Sequence, residues 1–241
     1  MGFQAQRPVA QGLRFAFAVG WLGRRSARQH RKHISRQRTM PPKKILLLLC
    51  QGAELFEAAA FFDVMGWSTA YGAAPVQVVT ASPRNSQVTC AFGMRLLVDL
   101  PVSDVDPTVF DALAIPGGFE TFDFYADAHS PGVQELIRRF ASLGKPIAAI
   151  CVGALPLART GLLNGRRATT DHLMEGRRRL QLSEFGALVV DGPIVRDGLF
   201  ITSTSPATAV EVALRLLEEL TGVENAQAIR HLMGFGDAPT A

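Results

Sequence analysis

The stretch Ala148-Ala149-Ile150-Cys151-Val152-Gly153-Ala154 is an apolar run that gives way, at a single cysteine, to small residues. An apolar run of this length predicts a buried strand, and a strand followed at once by a helix is the basic unit of an α/β sheet. The helix start would offer unpaired N–H groups and a positive dipole end to a thiolate. The residues alone leave two interpretations open, a nucleophile at Cys151 and an inert packing cysteine.

Two further segments place polar chemistry at the ends of predicted strands. Gly52-Ala53-Glu54-Leu55-Phe56-Glu57-Ala58 follows an apolar strand at 45–49, and Ile115-Pro116-Gly117-Gly118 follows another at 112–114. The carboxyl ends of parallel strands meet at one edge of a sheet, which is where ligands bind. We therefore expect Cys151, a carboxylate and a glycine turn to converge there.

The remaining pattern predicts alternating strands and helices throughout the core. The expected strands are 44–50, 76–81, 110–115, 146–150, 187–190, 194–196 and 199–202, with a hairpin or edge segment at 90–98. The expected helices are 54–71, 131–143, 152–160, 206–221 and 224–233.

Four segments, in this order and spacing, resemble the ThiJ/PfpI superfamily. They are GAELFEAAAFFDVMGW (52–67), ALAIPGG (112–118), AAICVGALPLARTGLL (148–163) and GRRATTDH (165–172). The resemblance runs from about residue 43 to 235. It implies an α/β, flavodoxin-like three-layer sandwich with a mostly parallel central sheet and a nucleophile elbow, like that of the class I glutamine amidotransferases. It also implies a homodimer.

The resemblance further implies a candidate site. Cys151 matches the reactive cysteine, Glu57 the carboxylate that contacts its sulfur, and Gly118 and Val152 the surrounding backbone N–H donors, with Gly117 in the same turn. An ionised Glu57 would repel a thiolate, so we expect a protonated Glu57 that shares one proton with the cysteine and passes it to substrate. Without the resemblance, a solvated helix residue and an ordinary tight turn explain these positions as well.

The histidine of the site is the point at which the chain departs from the usual superfamily pattern. A histidine normally follows the paired threonines directly, whereas here Asp171 stands in that place and His172 comes one residue later. A shift of one residue turns a side chain to the other face of a strand. Two interpretations stay open: His172 is the catalytic base, replaced or oriented by Asp171, or it has a surface or capping role.

Three other charged positions are expected to face solvent. Glu54 is the more exposed of the two glutamates that open the first helix, and His129 precedes a proline in a loop. The run Arg177-Arg178-Arg179 is expected to be a solvated face, because no aromatic residues alternate with it.

Composition limits the class of protein. A chain of 241 residues with 48% hydrophobic residues can bury the core of one domain. Its three cysteines, Cys50, Cys90 and Cys151, form no CxxC pair and have no metal-ligand spacing. We therefore expect neither disulfides nor a metal, no organic cofactor, and a cytoplasmic location.

The net charge of +4 belongs to the beginning of the chain. Residues 1–39 contain nine Lys or Arg residues and no Asp or Glu. Such a segment is compatible with targeting or with binding to anionic partners, but Met40-Pro41-Pro42 directly before the first strand favours an extension without folded structure. We divide the chain into a basic extension (1–42), a ThiJ/PfpI domain (43–235) and a tail (236–241), and expect neither nucleic acid nor membrane binding by the core.

These observations predict a cysteine-dependent enzyme that attacks an electrophilic carbon of a small molecule through a Cys151 adduct, as glyoxalases, deglycases and isonitrile hydratases do. One alternative is a redox or stress sensor, or a chaperone, that works by oxidation of Cys151. A peptidase-like hydrolase is a further alternative, although it needs a dependable base. A glutaminase is disfavoured, because the chain has no His-x-Glu pair.

Overall fold

The computed structural model describes residues 42–84 and 86–236. The expectations for the basic extension and for the tail therefore fall almost entirely outside the described residues. The proposed domain boundaries stay predictions.

Eleven strands and seven α-helices are present in the described part of the chain. The strands are β1 (Lys43–Leu48), β2 (Val76–Ser82), β3 (Gln87–Thr89), β4 (Arg95–Leu97), β5 (Leu100–Pro101), β6 (Ala112–Ile115), β7 (Ile147–Ala149), β8 (Arg167–Ala168), β9 (Leu188–Val189), β10 (Ile194–Asp197) and β11 (Phe200–Ser203). The helices are α1 (Leu55–Tyr71), α2 (Phe124–Ala128), α3 (Pro131–Ser142), α4 (Ala154–Arg159), α5 (Arg177–Glu184), α6 (Ala209–Thr221) and α7 (Val223–Leu232).

Seven of the strands form the central sheet, in the order β10-β11-β7-β6-β1-β2-β5. All neighbouring pairs are parallel except β10 and β11, which form an antiparallel hairpin. The strand pairs β3-β4 and β8-β9 lie outside this sheet. The expected mostly parallel α/β sheet is confirmed.

Side chains of the central strands alternate between two hydrophobic layers, because successive residues of a strand point to opposite faces. In and just after β1, Leu46 and Leu48 enter the layer that also contains residues of α3 and α4, and Ile45, Leu47 and Leu49 enter the layer of α1 and α6. The sheet is thus covered on both faces. This is the expected three-layer sandwich.

The two helices absent from the sequence-based expectation are α2 and α5. Both are short, with five and eight residues, and α5 begins with the arginine run expected to be solvated. Within residues 42–84 and 86–236, no helix is long and apolar enough to cross a membrane.

The order of the central strands decides where the candidate residues meet. Neighbouring strands β7, β6 and β1 are followed by Cys151, by Gly117-Gly118 and by the segment that leads to Glu57 in the first turn of α1. All three segments leave the sheet at the same edge, because these strands are parallel.

Candidate active site

Cys151 occupies a strained position at the end of β7. Its φ is +54°, in the left-handed region that side chains other than glycine rarely adopt. A tight turn follows, in which Gly153 N–H donates to the Ile150 carbonyl at 2.8 Å, and α4 begins directly after it. A Cβ on Gly153 would lie 2.5 Å from the Ile115 carbonyl oxygen, so only glycine fits this turn. The cysteine therefore sits on a sharp elbow between strand and helix.

Glu57 is fully buried beside this elbow. Gly117 N–H donates to its Oε2 at 2.6 Å. A Cβ on Gly117 would lie 2.9 Å from that oxygen and 3.1 Å from Cys151 Cβ, so the glycine backbone is packed between the carboxyl and the cysteine. The other oxygen, Oε1, is buried without a well-aligned partner among the described residues. The Cys151 thiol is close enough to the carboxyl to lower its pKa through a side-chain hydrogen bond.

The Glu57 carboxyl is a weak acid in this environment. Burial raises its pKa from 4.5 to about 8, and the negative charges of Glu54 and Asp171 act in the same direction. The Gly117 N–H and the Cys151 thiol lower the pKa, but by less. Glu57 is therefore mostly protonated at neutral pH.

The Cys151 thiol is half-buried, and its pKa is also shifted upward. Burial is the largest cause, followed by the negative charges of Glu57 and Asp171, whereas the Val152 N–H lowers the pKa. The start of α4 does not by itself produce a low thiol pKa. Glu57 and Asp171 both disfavour the thiolate when they are ionised. Because Glu57 is neutral, only the charge of Asp171 does so.

The loop after β6 offers a second backbone donor. Gly118 faces Ala53 across a two-residue antiparallel bridge, flanked by hydrogen bonds from Glu54 N–H to the Gly117 carbonyl and from Phe119 N–H to the Gly52 carbonyl. In such a non-hydrogen-bonded pair, the N–H groups of the paired residues point outward. The Gly118 N–H therefore remains available to a ligand.

The two residues after the paired threonines differ in their relation to the thiol. Asp171 is half-buried, and its charge raises the pKa values of both Cys151 and Glu57. His172 is exposed and is not among the groups that shift either pKa. Thr170, just before them, is tied to the elbow by a hydrogen bond from its Oγ1 to the Cys151 carbonyl at 2.8 Å. Of the two expected candidates, the structure brings Asp171 to the site.

Three residues expected to face solvent are more covered than expected, although Glu54 is the more exposed of the two glutamates at the start of α1 and Arg177 is exposed, as predicted. Glu54 is 9% exposed, and it caps α1 by accepting a hydrogen bond from Phe56 N–H. The Nε2 of His129 is buried, and burial with the charge of Arg159 lowers the pKa of this histidine to about 4. The Arg178 side chain is 13% exposed and pairs with Glu120, as described below. His129 and Arg178 pack against rings from distant segments, Phe185 and Tyr125 respectively.

Cys50 and Cys90 are buried free thiols, and burial raises the pKa of each. Their environment makes them poor nucleophiles. Across the part of the chain that the structure describes, no three His, Cys, Asp or Glu side chains come together as a metal site.

Comparison with known proteins identifies the family of the chain. The family model of the DJ-1/PfpI family matches residues 43–219. The chain belongs to the DJ-1/PfpI family. This confirms the superfamily assignment made from the four sequence segments.

Among the similar proteins, Protein dj-1beta of Drosophila melanogaster is 33% identical over 188 residues, which cover 78% of this chain and 94% of the relative. Its crystal structure superimposes with a TM-score of 0.70, covering 82% of this chain and all of the fly chain. The glutathione-independent glyoxalase DJR-1.2 of Caenorhabditis elegans is 31% identical, covering 64% of this chain and 78% of the relative. The isonitrile hydratase of Pseudomonas putida is 30% identical, covering 63% of each chain.

Proposed function

We propose that this protein is a cysteine-dependent enzyme that converts a small, electrophilic carbonyl compound, in the manner of a glyoxalase or deglycase. The observation that carries the proposal is a buried, neutral Glu57 beside a cysteine on a strained elbow, with the Val152 N–H directed at the sulfur and the Gly118 N–H turned away from its bridge partner. The similarity to a glutathione-independent glyoxalase supports the same chemistry.

The reactive form of the pair carries one proton, on Glu57, and a thiolate on Cys151. The sulfur adds to an aldehyde carbon, and the π electrons of the carbonyl move to its oxygen. The N–H groups of Gly118 and Val152 stabilise the negative oxygen, and Glu57 then donates its proton to it. The product of this step is a hemithioacetal.

The ionised Glu57 is now a base. For a 1,2-dicarbonyl compound such as methylglyoxal, it removes the hydrogen from the carbon bonded to sulfur and returns a proton to the adjacent carbon. The proton of the hydroxyl on the first carbon passes to the oxygen of the second carbon, which leaves a 2-hydroxy thioester. Water cleaves this thioester to lactate and the Cys151 thiolate, and the proton that the water releases returns to Glu57. The sequence is redox-neutral and needs no external electron carrier.

Asp171 takes over part of the role of catalytic base that was considered for His172. A carboxylate at this position can accept a proton from the water that cleaves the thioester, and its charge adds to the effect of burial, which is the main cause of the raised Glu57 pKa. A peptidase-like reaction is less compatible with this arrangement, because His172, the histidine expected to act as the base, is exposed.

The test is multiple-turnover lactate production from methylglyoxal by the full chain, compared with Cys151→Ser and Glu57→Gln. We expect turnover in the wild type and a loss of at least about 10²-fold in both variants. Turnover at the Cys151→Ser level in the wild type would refute the proposal. Stoichiometric oxidation of Cys151 by peroxide without turnover would instead support the redox-sensor alternative.

We also propose a homodimer located in the cytoplasm. Exposed apolar side chains on and near the β3-β4 hairpin, Phe92, Met94 and Leu97, are 76%, 55% and 82% exposed and support a protein partner of this kind.

A further inference from the structure

A second polar group lies near Cys151, on helix α2. The hydroxyl oxygen of Tyr125 is buried, and it meets no hydrogen-bond partner among residues 42–84 and 86–236. Buried hydroxyl groups are nearly always paired with protein, water or ligand, because an unpaired one costs free energy. Packing alone would be served equally well by phenylalanine.

The ring of Tyr125 is held from three sides. The centroids of the Phe124 and His129 rings lie 5.3 and 4.9 Å away, and the Arg178 guanidinium stands 5.0 Å above the ring. Phe124 in turn packs against Gly118, where an added Cβ would lie 2.3 Å from the ring. Two direct contacts therefore connect Tyr125 to the backbone of the candidate oxyanion donor.

Arg178 is itself fixed in place. It donates to Glu120 Oε2 at 2.8 Å and to Gln181 Oε1 at 2.9 Å, and only 13% of its side chain is exposed. A planar guanidinium that is held by two hydrogen bonds and stacked on an aromatic ring restricts the position of that ring. The tyrosine hydroxyl thus has a defined direction.

The hydroxyl is also within the electrostatic reach of the reacting sulfur. Tyr125 and Cys151 pack against the same hydrophobic layer, and the charge of Cys151 contributes to raising the Tyr125 pKa, for which burial is the main cause. The hydroxyl therefore stays protonated and acts as a donor. The buried Nε2 of the adjacent His129 likewise has no partner within the described chain. Two buried polar atoms without hydrogen-bond partners in the described residues, on neighbouring rings, indicate a binding site for a polar ligand.

We propose that Tyr125 is a substrate-binding residue that donates a hydrogen bond to the second oxygen of a 1,2-dicarbonyl compound, with Arg178 as the positioning residue. This inference rests on the proposed function. When Glu57 removes the hydrogen from the carbon bonded to sulfur, negative charge develops on the oxygen of the adjacent carbonyl. A donor at that oxygen stabilises the transition state, whereas an aldehyde without a second carbonyl gains nothing from it.

The experiment compares Tyr125→Phe with Tyr71→Phe, which removes the same hydroxyl from a tyrosine that is 59% exposed on α1. For methylglyoxal, we expect kcat/KM to fall on the order of 10²-fold in Tyr125→Phe and to stay unchanged in Tyr71→Phe. Arg178→Lys, which keeps the charge and loses the planar stack, should show a smaller fall.

A second readout does not depend on turnover. Reversible addition of an aldehyde protects Cys151 from alkylation by iodoacetamide, which mass spectrometry of the Cys151 peptide quantifies. We expect Tyr125→Phe and Arg178→Lys to weaken protection by methylglyoxal about tenfold, the scale of one lost hydrogen bond. Protection by acetaldehyde should be equal in all variants.

Equal weakening with both aldehydes, or an unchanged response of Tyr125→Phe to methylglyoxal, would overturn the assignment of Tyr125. Protection of the wild type without lactate production would refute the proposed reaction, and the protection ratio would still decide the role of Tyr125. No protection of the wild type by methylglyoxal would refute both.

Discussion

The effect of Glu57→Gln on the free energy of unfolding should depend on pH if Glu57 is a buried neutral carboxyl, and should not if it is an ordinary ionised one. The pKa of Glu57 is about 8 in the folded protein, against 4.5 for a free side chain. Between these two pH values the folded state holds a proton that the unfolded state has lost. The stabilising effect of protonation is thus complete below pH 4.5 and is lost as the pH rises toward 8.

The expected magnitude follows from the size of this window. Each pH unit within it lowers the free energy of unfolding of the wild type by about 1.4 kcal/mol through this group, which gives about 5 kcal/mol over the whole range. Glutamine has nearly the same shape, can accept the Gly117 hydrogen bond and does not titrate. The stability of Glu57→Gln relative to the wild type should therefore increase from pH 5 to 8 and become constant above that.

The assay is urea unfolding at half-unit pH steps, in the Cys151→Ala background so that the thiol does not titrate. Glu184→Gln, an exposed glutamate at the end of α5, is the matched control and should follow the wild type in parallel. A difference between Glu57→Gln and the wild type that is constant from pH 5 to 8 would refute a buried neutral Glu57.

Two further predictions concern backbone strain and a buried ion pair. Cys151→Gly should be more stable than Cys151→Ala by about 1 kcal/mol in thermal unfolding, because glycine adopts a φ of +54° without strain; equal stabilities would contradict a strained elbow. Asp127, 7% exposed, accepts hydrogen bonds from Gln51 N–H at 2.8 Å and from Arg84 Nε at 2.9 Å, whereas the Arg84 side chain is 46% exposed. Arg84→Met leaves a buried carboxylate uncompensated, so it should lower the free energy of unfolding by about 1–3 kcal/mol, which is more than the effect of Asp127→Asn. Urea unfolding measures both. The reverse order would show that the arginine charge is the one that needs its partner.

The sheet and the position of the cysteine could be predicted from local sequence. The apolar run before Cys151 and the apolar strand at 45–49 both became central parallel strands, because such strands are buried on both faces and need continuous apolar sequence. The glycine turn after β6 could likewise be located, since Gly117 and Gly118 follow the end of the strand at Ile115 after a single proline. Strand order then brought the three segments together.

Side-chain surroundings supplied by distant segments were not predictable in this way. Arg178 belongs to a run without apolar periodicity, and the aromatic ring that it covers lies more than 50 residues earlier in the chain. His129 precedes a proline and has the local signature of a loop, yet the rings of Tyr125 and Phe185 pack against it. The relation of Asp171 and His172 to the thiol depends on the path of the chain after β8, which residue spacing leaves undetermined.

The short bridge between Ala53 and Gly118 has a consequence for how the sequence of this protein can change. It joins the loops that carry Glu57 and Gly118 into one unit that neighbouring strands already hold in register. The segment after Thr170 is instead tied to the elbow by a single side-chain hydrogen bond. Substitutions from His172 onward can therefore accumulate at little cost to the reactive centre, so that this loop can change while the arrangement of Cys151, Glu57 and Gly118 is kept.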